Sequence, residues 1–502
     1  MFLGVWALAQ LFKLGLAAQL APFGDEAFYW QESRRLDWGY SDLPPLTAWL
    51  IRAGEALCGH GEIGLRAVFL LLGAVLPLQL ACLGTRLFGA RAGACAGLFW
   101  LALPLGGSLG LLALPDVPLL CACVAALSAV EAAARTGRLR HWLVLGLALA
   151  VAWLTHYRAA MLLLSGLAFL ALTPRGRRLW RASGLWVALG VMGLGFVPLL
   201  LFNARHAWEG VAFQLVERHP WTFHADALVQ PLEQAMACTP LLYGLLLWAL
   251  WRCWRRRGEG APWDLLAVSG GSVVIGYFVL GLFADDLRFR AHWPLPGYVP
   301  ALLALPVLLG PDATPRRRQV ARAAFALAAL GSAATFGYLA LAAWPAQTAR
   351  LAPYKLFPEN FVGWREAAAR ARTLLDAAAP ASADTILVAD HFLLAAELDF
   401  QFGGTRRVYA LDHPLNTKHG RAPQLAQWQL DETALRAHAG APVLLVVQDT
   451  GGRERDRAEW QRSLPSRIDG LQRVDALALF AGRQRFSFWR GRVPAAAPPT
   501  AR

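Results

Sequence analysis

Two acids stand side by side in Gly24-Asp25-Glu26-Ala27-Phe28-Tyr29-Trp30, and a third follows a proline in Leu114-Pro115-Asp116-Val117-Pro118-Leu119. Cations and imidazoles occupy short polar breaks elsewhere: His156-Tyr157-Arg158, Asn203-Ala204-Arg205-His206, and Arg288, Arg290 and His292 ahead of Trp293. A carboxylate within hydrogen-bond reach of a hydroxyl can take its proton. A guanidinium offers a fixed fork of donors to a phosphate, and a carboxylate pair could hold a divalent ion that screens one. Such residue types suit a reaction in which a phosphate departs while a nucleophile enters. Each also has a plainer reading. Asp25 and Glu26 could open a loop among interfacial aromatics, Asp116 could cap a helix, and each arginine could anchor its helix at a membrane boundary.

The elements that must carry these residues are membrane helices. Of 502 residues, 56% are hydrophobic and 16% charged, and the mean hydropathy is +0.39; that balance is poor in charge for a soluble chain. About eleven apolar stretches approach the roughly 20 residues needed to span a bilayer: 2–21, 65–88, 92–112, 118–134, 142–155, 159–172, 184–202, 232–251, 265–283, 294–309 and 320–344. The net charge of +14 would suit nucleic acid only if Lys and Arg gathered on a soluble surface. Instead Arg86 and Arg91, then Arg135, Arg138 and Arg140, then Arg175, Arg177, Arg178 and Arg181 fall in every second loop. Arg252, Arg255, Arg256 and Arg257, and finally Arg316, Arg317, Arg318 and Arg322, continue the pattern. The positive-inside rule then puts the N-terminus in the cytoplasm and the C-terminus outside, excludes nucleic acid as the partner, and sets the basic loops against anionic lipid.

The first stretch has no basic start and carries Lys13 in its middle, so it is expected to remain as a membrane helix rather than be cleaved as a signal peptide. The seven cysteines lie mostly in apolar segments, the ordinary place for small buried thiols, and they lack metal-ligand spacing. Gly106-Gly107-Ser108-Leu109-Gly110 has no following Lys-Ser/Thr and reads as a helix end or bend, not a phosphate cradle. Two outer loops are long, 22–64 and 203–231; the first contains an amphipathic stretch, 46–57, suited to lie along the membrane interface. After residue 345, apolar runs shorten to strand length at 385–389, 407–411 and 443–448, with helix-like stretches at 364–378 and 392–402. The expected organisation is a polytopic α-helical membrane domain over 1–345, a soluble α/β domain on the outer face over 346–493, and a disordered tail over 494–502.

Asp-Glu-Ala-aromatic-Tyr-Trp followed by Gly39-Tyr40-Ser41-Asp42-Leu43-Pro44-Pro45-Leu46 resembles the first outer loop of the GT-C glycosyltransferases. Within these it is most similar to the branch containing the aminoarabinose transferases of lipid A and the dolichyl-phosphate-mannose protein mannosyltransferases. Further resemblance runs through Leu114-Pro115-Asp116, Leu154-Thr155-His156-Tyr157-Arg158, Phe202-Asn203-Ala204-Arg205-His206-x-Trp208, Arg290-x-His292-Trp293-Pro294, Gly363-Trp364-Arg365-Glu366 and 389–402. It implies a GT-C-like fold in a bacterial inner membrane. It also implies an inverting transfer of a sugar from a polyprenyl-phosphate donor to a lipid, glycan or protein acceptor at the periplasmic face.

On that resemblance Asp25 accepts the acceptor's proton, and Asp116 is a second acid that Glu26 could assist. Glu26 and Asp116 are also the pair that could hold a divalent cation, which some GT-C enzymes use and others do not. Arg158, His156, Arg205, Arg290 and His292 are the candidates for the donor phosphate. Tyr29, Tyr40, Asp42 and Tyr157, inside the same motifs, are expected to contact substrate. An ordinary carboxylate titrates near pH 4, at about 3.9 to 4.3, and is a weak base at neutral pH, so proton transfer to it is expected late. An anionic acceptor would need no base and would only be oriented. The sequence departs from the family where Leu43 stands before Pro-Pro, a place usually held by His or Lys, and where His156 replaces a frequent Lys. Two other readings stay open: a transporter or flippase of lipid-linked sugars, which should show inverted repeats and midplane acids, and an inactive GT-C-like scaffold.

Overall fold

The computed structural model describes residues 1–218, 221–283, 291–310, 313–377 and 384–495. The chain packs into two compact units that interleave in sequence. The first comprises Met1–Ala17, Asp37–Gly54 and Arg66–Tyr338; the second comprises Ala18–Leu36, Glu55–Leu65 and Leu339–Arg502. The unit holding the C-terminal α/β fold therefore also takes in two pieces of the long 22–64 segment. Of the tail expected to be disordered, 496–502 lie outside the described residues.

The first unit is all helical. Six of the described helices are long and apolar enough to cross a membrane: Phe2–Gln19, Glu62–Phe88, Asp116–Thr136, Ser183–Arg205, Trp263–Phe283 and Pro315–Ala343. Ala225–Cys238 and Pro240–Arg255, bent by 113°, make a seventh if they form one span. All eleven expected stretches fall on helices. Four of them, Ala90–Ala102, Leu139–Thr155, Tyr157–Leu172 and Leu295–Leu308, are too short to reach across on length alone.

Asp116–Thr136 and Leu139–Thr155 form a helical hairpin. Gly137 makes the join with φ 65°, its N–H donating to Ala133 O at 2.8 Å, the usual glycine ending of a helix. Upstream, the glycine run becomes the short helix Pro104–Ser108 and a reversal at Gly110, where φ is 86°. A Cβ at Gly110 would lie 2.6 Å from both Phe69 O and Gly73 Cα, so this bend requires glycine on steric and conformational grounds alike. Lys13, almost wholly buried, donates from Nζ to Leu109 O at 2.8 Å and ties the first helix to the turn that leads to Asp116. Arginines of the alternate loops pair with acids at helix ends: Arg135 with Glu131 at 3.1 Å, and Arg175 with both oxygens of Asp264 at 2.8 and 3.1 Å.

In the second unit a five-stranded sheet has the order β2-β1-β3-β5-β4. The parallel strands β1 (Ile386–Ala389), β2 (Val408–Ala410) and β3 (Pro442–Gln448) match the three expected runs. Their side chains are buried almost without a break, as parallel strands covered on both faces require. The hairpin of β4 (Asp469–Leu479) and β5 (Gln484–Arg492) was not foreseen; β5 runs antiparallel to β3. Both strands mix charged and apolar residues because β4 is an edge with one wet face. The helix Gly24–Arg34 belongs to this unit and packs against Phe392–Gln401, with Phe28 edge-on to Phe392 at 5.5 Å. The expected 22–64 loop is thus largely helical: Leu46–Cys58 is the expected amphipathic helix, and Gly24–Arg34 is a helix where a loop was expected. All seven cysteines are free; Cys82 is exposed rather than buried.

His391 gives the second unit a testable pH response. Its Nδ1 accepts from Leu394 N at 3.3 Å, so the neutral ring carries its proton on Nε2, which donates to Gln448 Oε1 at 3.0 Å. Burial pulls this histidine down to about 4. The unfolded chain therefore binds a proton below about pH 6.5 that the folded chain refuses until about pH 4, and acidification through this window removes up to about 3 kcal/mol. His391→Asn keeps a helix cap but lacks this titration, so the melting-temperature gap between variant and wild type should narrow from pH 7.5 to pH 5. A gap that holds constant would contradict the assignment.

Candidate active site

Within the first unit, Asp116 opens its helix directly after Pro115 and is 8% exposed. Its Oδ1 accepts from Arg158 Nη2 at 2.8 Å and lies 3.4 Å from His292 Nε2. Arg158 sits on the single 3-10 turn Tyr157–Ala159 between the helices Leu139–Thr155 and Ala160–Leu172. His156 makes that turn: its Nδ1 accepts from Arg158 N at 3.0 Å. The ring must then be neutral with its proton on Nε2. Burial, with Arg158, Arg218 and His292 nearby, pulls this imidazole well below its ordinary value. The Nε–H of Arg158 is buried with no acceptor among the described residues. A buried donor left so costs about 1–3 kcal/mol, which an anionic oxygen at that position would remove.

A second layer faces the same group. Arg158 and Arg218 both stand over the Trp293 ring, at 5.8 and 5.5 Å from its centroid. Arg218 donates to Gln214 Oε1 at 3.2 Å, and Gln214 Nε2 donates to Asp42 O at 2.7 Å. The Gly39–Pro45 loop is thereby tied to this set of cations. Tyr40 is fully buried, and its N–H closes a turn onto Leu43 O at 2.9 Å; Asp42 and Leu43 are also buried. Near Gly210 converge Tyr157 Oη, Asn203 Oδ1 and Tyr40 O, at 3.0, 3.3 and 3.3 Å from where a Cβ would stand. The structure thus brings together Asp116, Arg158, His156 and His292, with Tyr40, Asp42 and Tyr157 beside their supports. Arg205 is exposed and makes no polar contact among the described residues. Arg290, like Arg288, lies outside the described residues.

Asp25 and Glu26 occupy the first turn of Gly24–Arg34 in the second unit. Glu26 is fully buried, and its Oε2 accepts from Phe23 N at 2.9 Å, closing the helix start. Asp25 keeps 36% of its side chain exposed. Arg421, 4% exposed, places Nη2 3.6 Å from Asp25 Oδ1 and Nη1 3.4 Å from Glu32 Oε1. Its guanidinium lies over Phe28 at 4.1 Å and Tyr29 at 5.2 Å, so Tyr29 lines the base of this cation. Of the two neighbouring acids, only the solvent-accessible Asp25 is open to a substrate.

Sequence reading missed Arg218 and Arg421. Arg218 lies within the 203–231 stretch expected to be a loop, and Arg421 lies in the second unit, outside every motif. A basic residue in a predicted soluble segment carries no burial signal; only packing reveals it.

The chain matches the dolichyl-phosphate-mannose-protein mannosyltransferase family over residues 42–202. It is 28% identical over 282 residues to a lipid A galacturonosyltransferase, RgtD, of Rhizobium johnstonii; the match spans 55% of this chain and 58% of that relative. Among solved structures, ArnT from Cupriavidus metallidurans bound to undecaprenyl phosphate superposes with a TM-score of 0.67 at 18% identity, over 97% of each chain. The fold is that of the GT-C glycosyltransferases. The archaeal oligosaccharyltransferase AglB of Archaeoglobus fulgidus, in complex with an inhibitory peptide and a dolichol-phosphate, is a more distant GT-C likeness. Its TM-score is 0.51 at 13% identity, covering 99% of this chain and 75% of that one.

Two further features bear on what this fold can hold. Asp116 already faces Arg158 and His292, and Glu26 accepts at its own helix start. Among the described residues no three His, Cys, Asp or Glu side chains group as metal ligands. An apolar cavity of about 220 Å³ lies between the helices of the first unit, lined among others by Leu127, Trp142, Leu162, Phe169, Leu185 and Val273. It is away from the acids and suits a hydrocarbon chain.

Proposed function

We propose that this protein is an inverting glycosyltransferase that moves a sugar from a polyprenyl-phosphate donor to a lipid, glycan or protein acceptor. The reaction takes place at the periplasmic face of a bacterial inner membrane. The observation that carries the proposal is the buried Nε–H of Arg158, which has no acceptor among the described residues, on the turn that His156 Nδ1 closes by accepting from Arg158 N. That guanidinium donor is available to an anion. The fold supports the same reading, as do the undecaprenyl phosphate bound by ArnT and the dolichol-phosphate bound by AglB. Eleven crossings, with the basic loops in the cytoplasm, would place the N-terminus inside and the C-terminal domain outside.

In this reading the bond between the sugar's anomeric carbon and the phosphate oxygen breaks, and its electron pair leaves with the phosphate. Arg158, His156 and Arg218 hold that charge. Asp116 is a positioning residue: it keeps Arg158 and His292 aimed by accepting from both. The acceptor hydroxyl attacks from the opposite side of the ring and gives its proton to Asp25, which inverts the anomeric centre. Arg421 and Glu32 fix the direction of the Asp25 carboxylate, and a phosphate acceptor would be oriented there without proton transfer. The apolar cavity takes part of the polyprenyl tail.

Leu43 supplies no cation where the family usually has one, and Arg218, linked through Gln214 to the Asp42 carbonyl, takes over that share of the charge. Arg218→Ala should therefore raise the KM for donor about tenfold while kcat changes less; an unchanged KM would remove Arg218 from the donor site. The functional test reconstitutes the protein in vesicles with a panel of polyprenyl-phosphate sugars and acceptors. Transfer is expected. Movement of the lipid-linked sugar across the bilayer without transfer would favour a flippase, and neither activity across the panel would favour a scaffold.

A further inference from the structure

The second unit holds a cavity of about 470 Å³ that no step above uses. Across β4 and β5, Arg473 lies opposite Trp489, Ala476 opposite Ser487 and Ala478 opposite Arg485. Alternate residues of β5 share one face, and the two alanines and the serine leave a hollow that larger strand residues would fill. The helix Glu454–Ser463 closes one side with Arg457 and Gln461, four residues apart and so on one helix face.

At the base, Asp449 Oδ1 accepts from Gln461 Nε2 at 2.8 Å and from Ser487 Oγ at 3.1 Å. Trp489 Nε1 donates to Ser487 Oγ at 2.9 Å, which fixes the indole. Arg457 is held by the carbonyls of Gly451 and Gly452 at 2.8 and 2.9 Å. Arg473 and Arg485 are exposed and form no ion pair among the described residues. Three guanidiniums thus face one hollow whose lining acids are Asp449 and Glu454.

We propose that this cavity binds an anionic saccharide, a sugar bearing a carboxylate or phosphate. The volume is in the range of small-ligand sites. An indole offers its face to the apolar side of a sugar ring, guanidinium forks take the anionic group, and Asp449 with Gln461 takes hydroxyls. The occupant is the charged glycan portion of the acceptor, and only this last clause rests on the transferase reading.

The test is calorimetric titration of the purified full chain in detergent with trigalacturonate, glucose 6-phosphate, neutral maltotriose and a hexaglutamate peptide. Wild type should bind at least one of the two anionic sugars, more weakly as salt rises, and bind maltotriose at least about tenfold less tightly. The double variant Arg473→Ala with Arg485→Ala removes only exposed side chains, and it should lose about tenfold or more in affinity with an unchanged melting temperature. Asp25→Asn should bind like wild type, so failure of the Asp25 role and failure of the cavity are read separately. Absence of anionic-sugar binding, equal binding of maltotriose, unaltered affinity in the double variant, or tighter binding of hexaglutamate would each overturn the proposal.

Discussion

Asp25→Asn is expected to lower kcat for transfer to a hydroxyl acceptor by about 10²- to 10⁴-fold, the range a positioned general base contributes. The substitution keeps the size of the side chain and removes its ability to take a proton. Asp25 is exposed enough to meet an acceptor, whereas Glu26 beside it is sealed into the helix start and Glu32 beneath it is 1% exposed. Neither of these two described carboxylates is therefore placed to substitute. Donor binding should survive, because the proposed phosphate cations are borne by Arg158, His156 and Arg218. With a phosphate acceptor the defect should move from kcat to KM, since no proton is transferred. Measuring both constants with both acceptor classes checks the assignment; equal transfer by variant and wild type would take Asp25 out of the mechanism.

Arg158→Ala should be nearly as severe, with a fall of about 10²- to 10³-fold in kcat/KM for the donor, the loss expected when a fixed donor to a developing negative charge is removed. It should also lower the melting temperature. Asp116 is 8% exposed and, among the described residues, would be left with His292 as its remaining ion-pair partner. Breaking a buried pair from one side costs about 3–5 kcal/mol, an upper bound for this pair because a tenth of each side chain remains accessible. Arg158→Lys keeps the charge but not the fork, so it should recover stability more than activity. A variant that melts lower yet transfers at the wild-type rate would make the pair structural only. The pair Arg158→Ala and Asp116→Ala supplies a double-mutant cycle: strong coupling is expected, since both side chains act through one contact.

Much of this architecture was legible in the sequence, for physical reasons that differ from place to place. Membrane helices announce themselves because every buried turn must be apolar, and the three parallel strands because both faces are covered. The hairpin β4–β5 was invisible: an edge pair with one wet face carries too many charges to resemble a core strand. Gly24–Arg34 was hidden because its buried face is built from Glu26, Gln31, Glu32 and Ser33 as well as aromatics, a pattern without apolar periodicity. In the candidate site, Asp116, His156, Arg158 and His292 are legible as candidates through their motifs. The partners that give them meaning, Arg218 through Gln214 and Arg421 beneath Asp25, are long-range contacts that no local pattern encodes.

The most direct test follows one turnover mixture of purified protein, a polyprenyl-phosphate sugar and an acceptor, with mass spectrometry for the lipid and NMR for the new glycosidic bond. Free polyprenyl phosphate should accumulate one for one with glycosylated acceptor, and the anomeric configuration should be inverted. Release of lipid phosphate without acceptor glycosylation, or a product with retained configuration, would contradict a direct displacement assisted by Asp25 and Arg158.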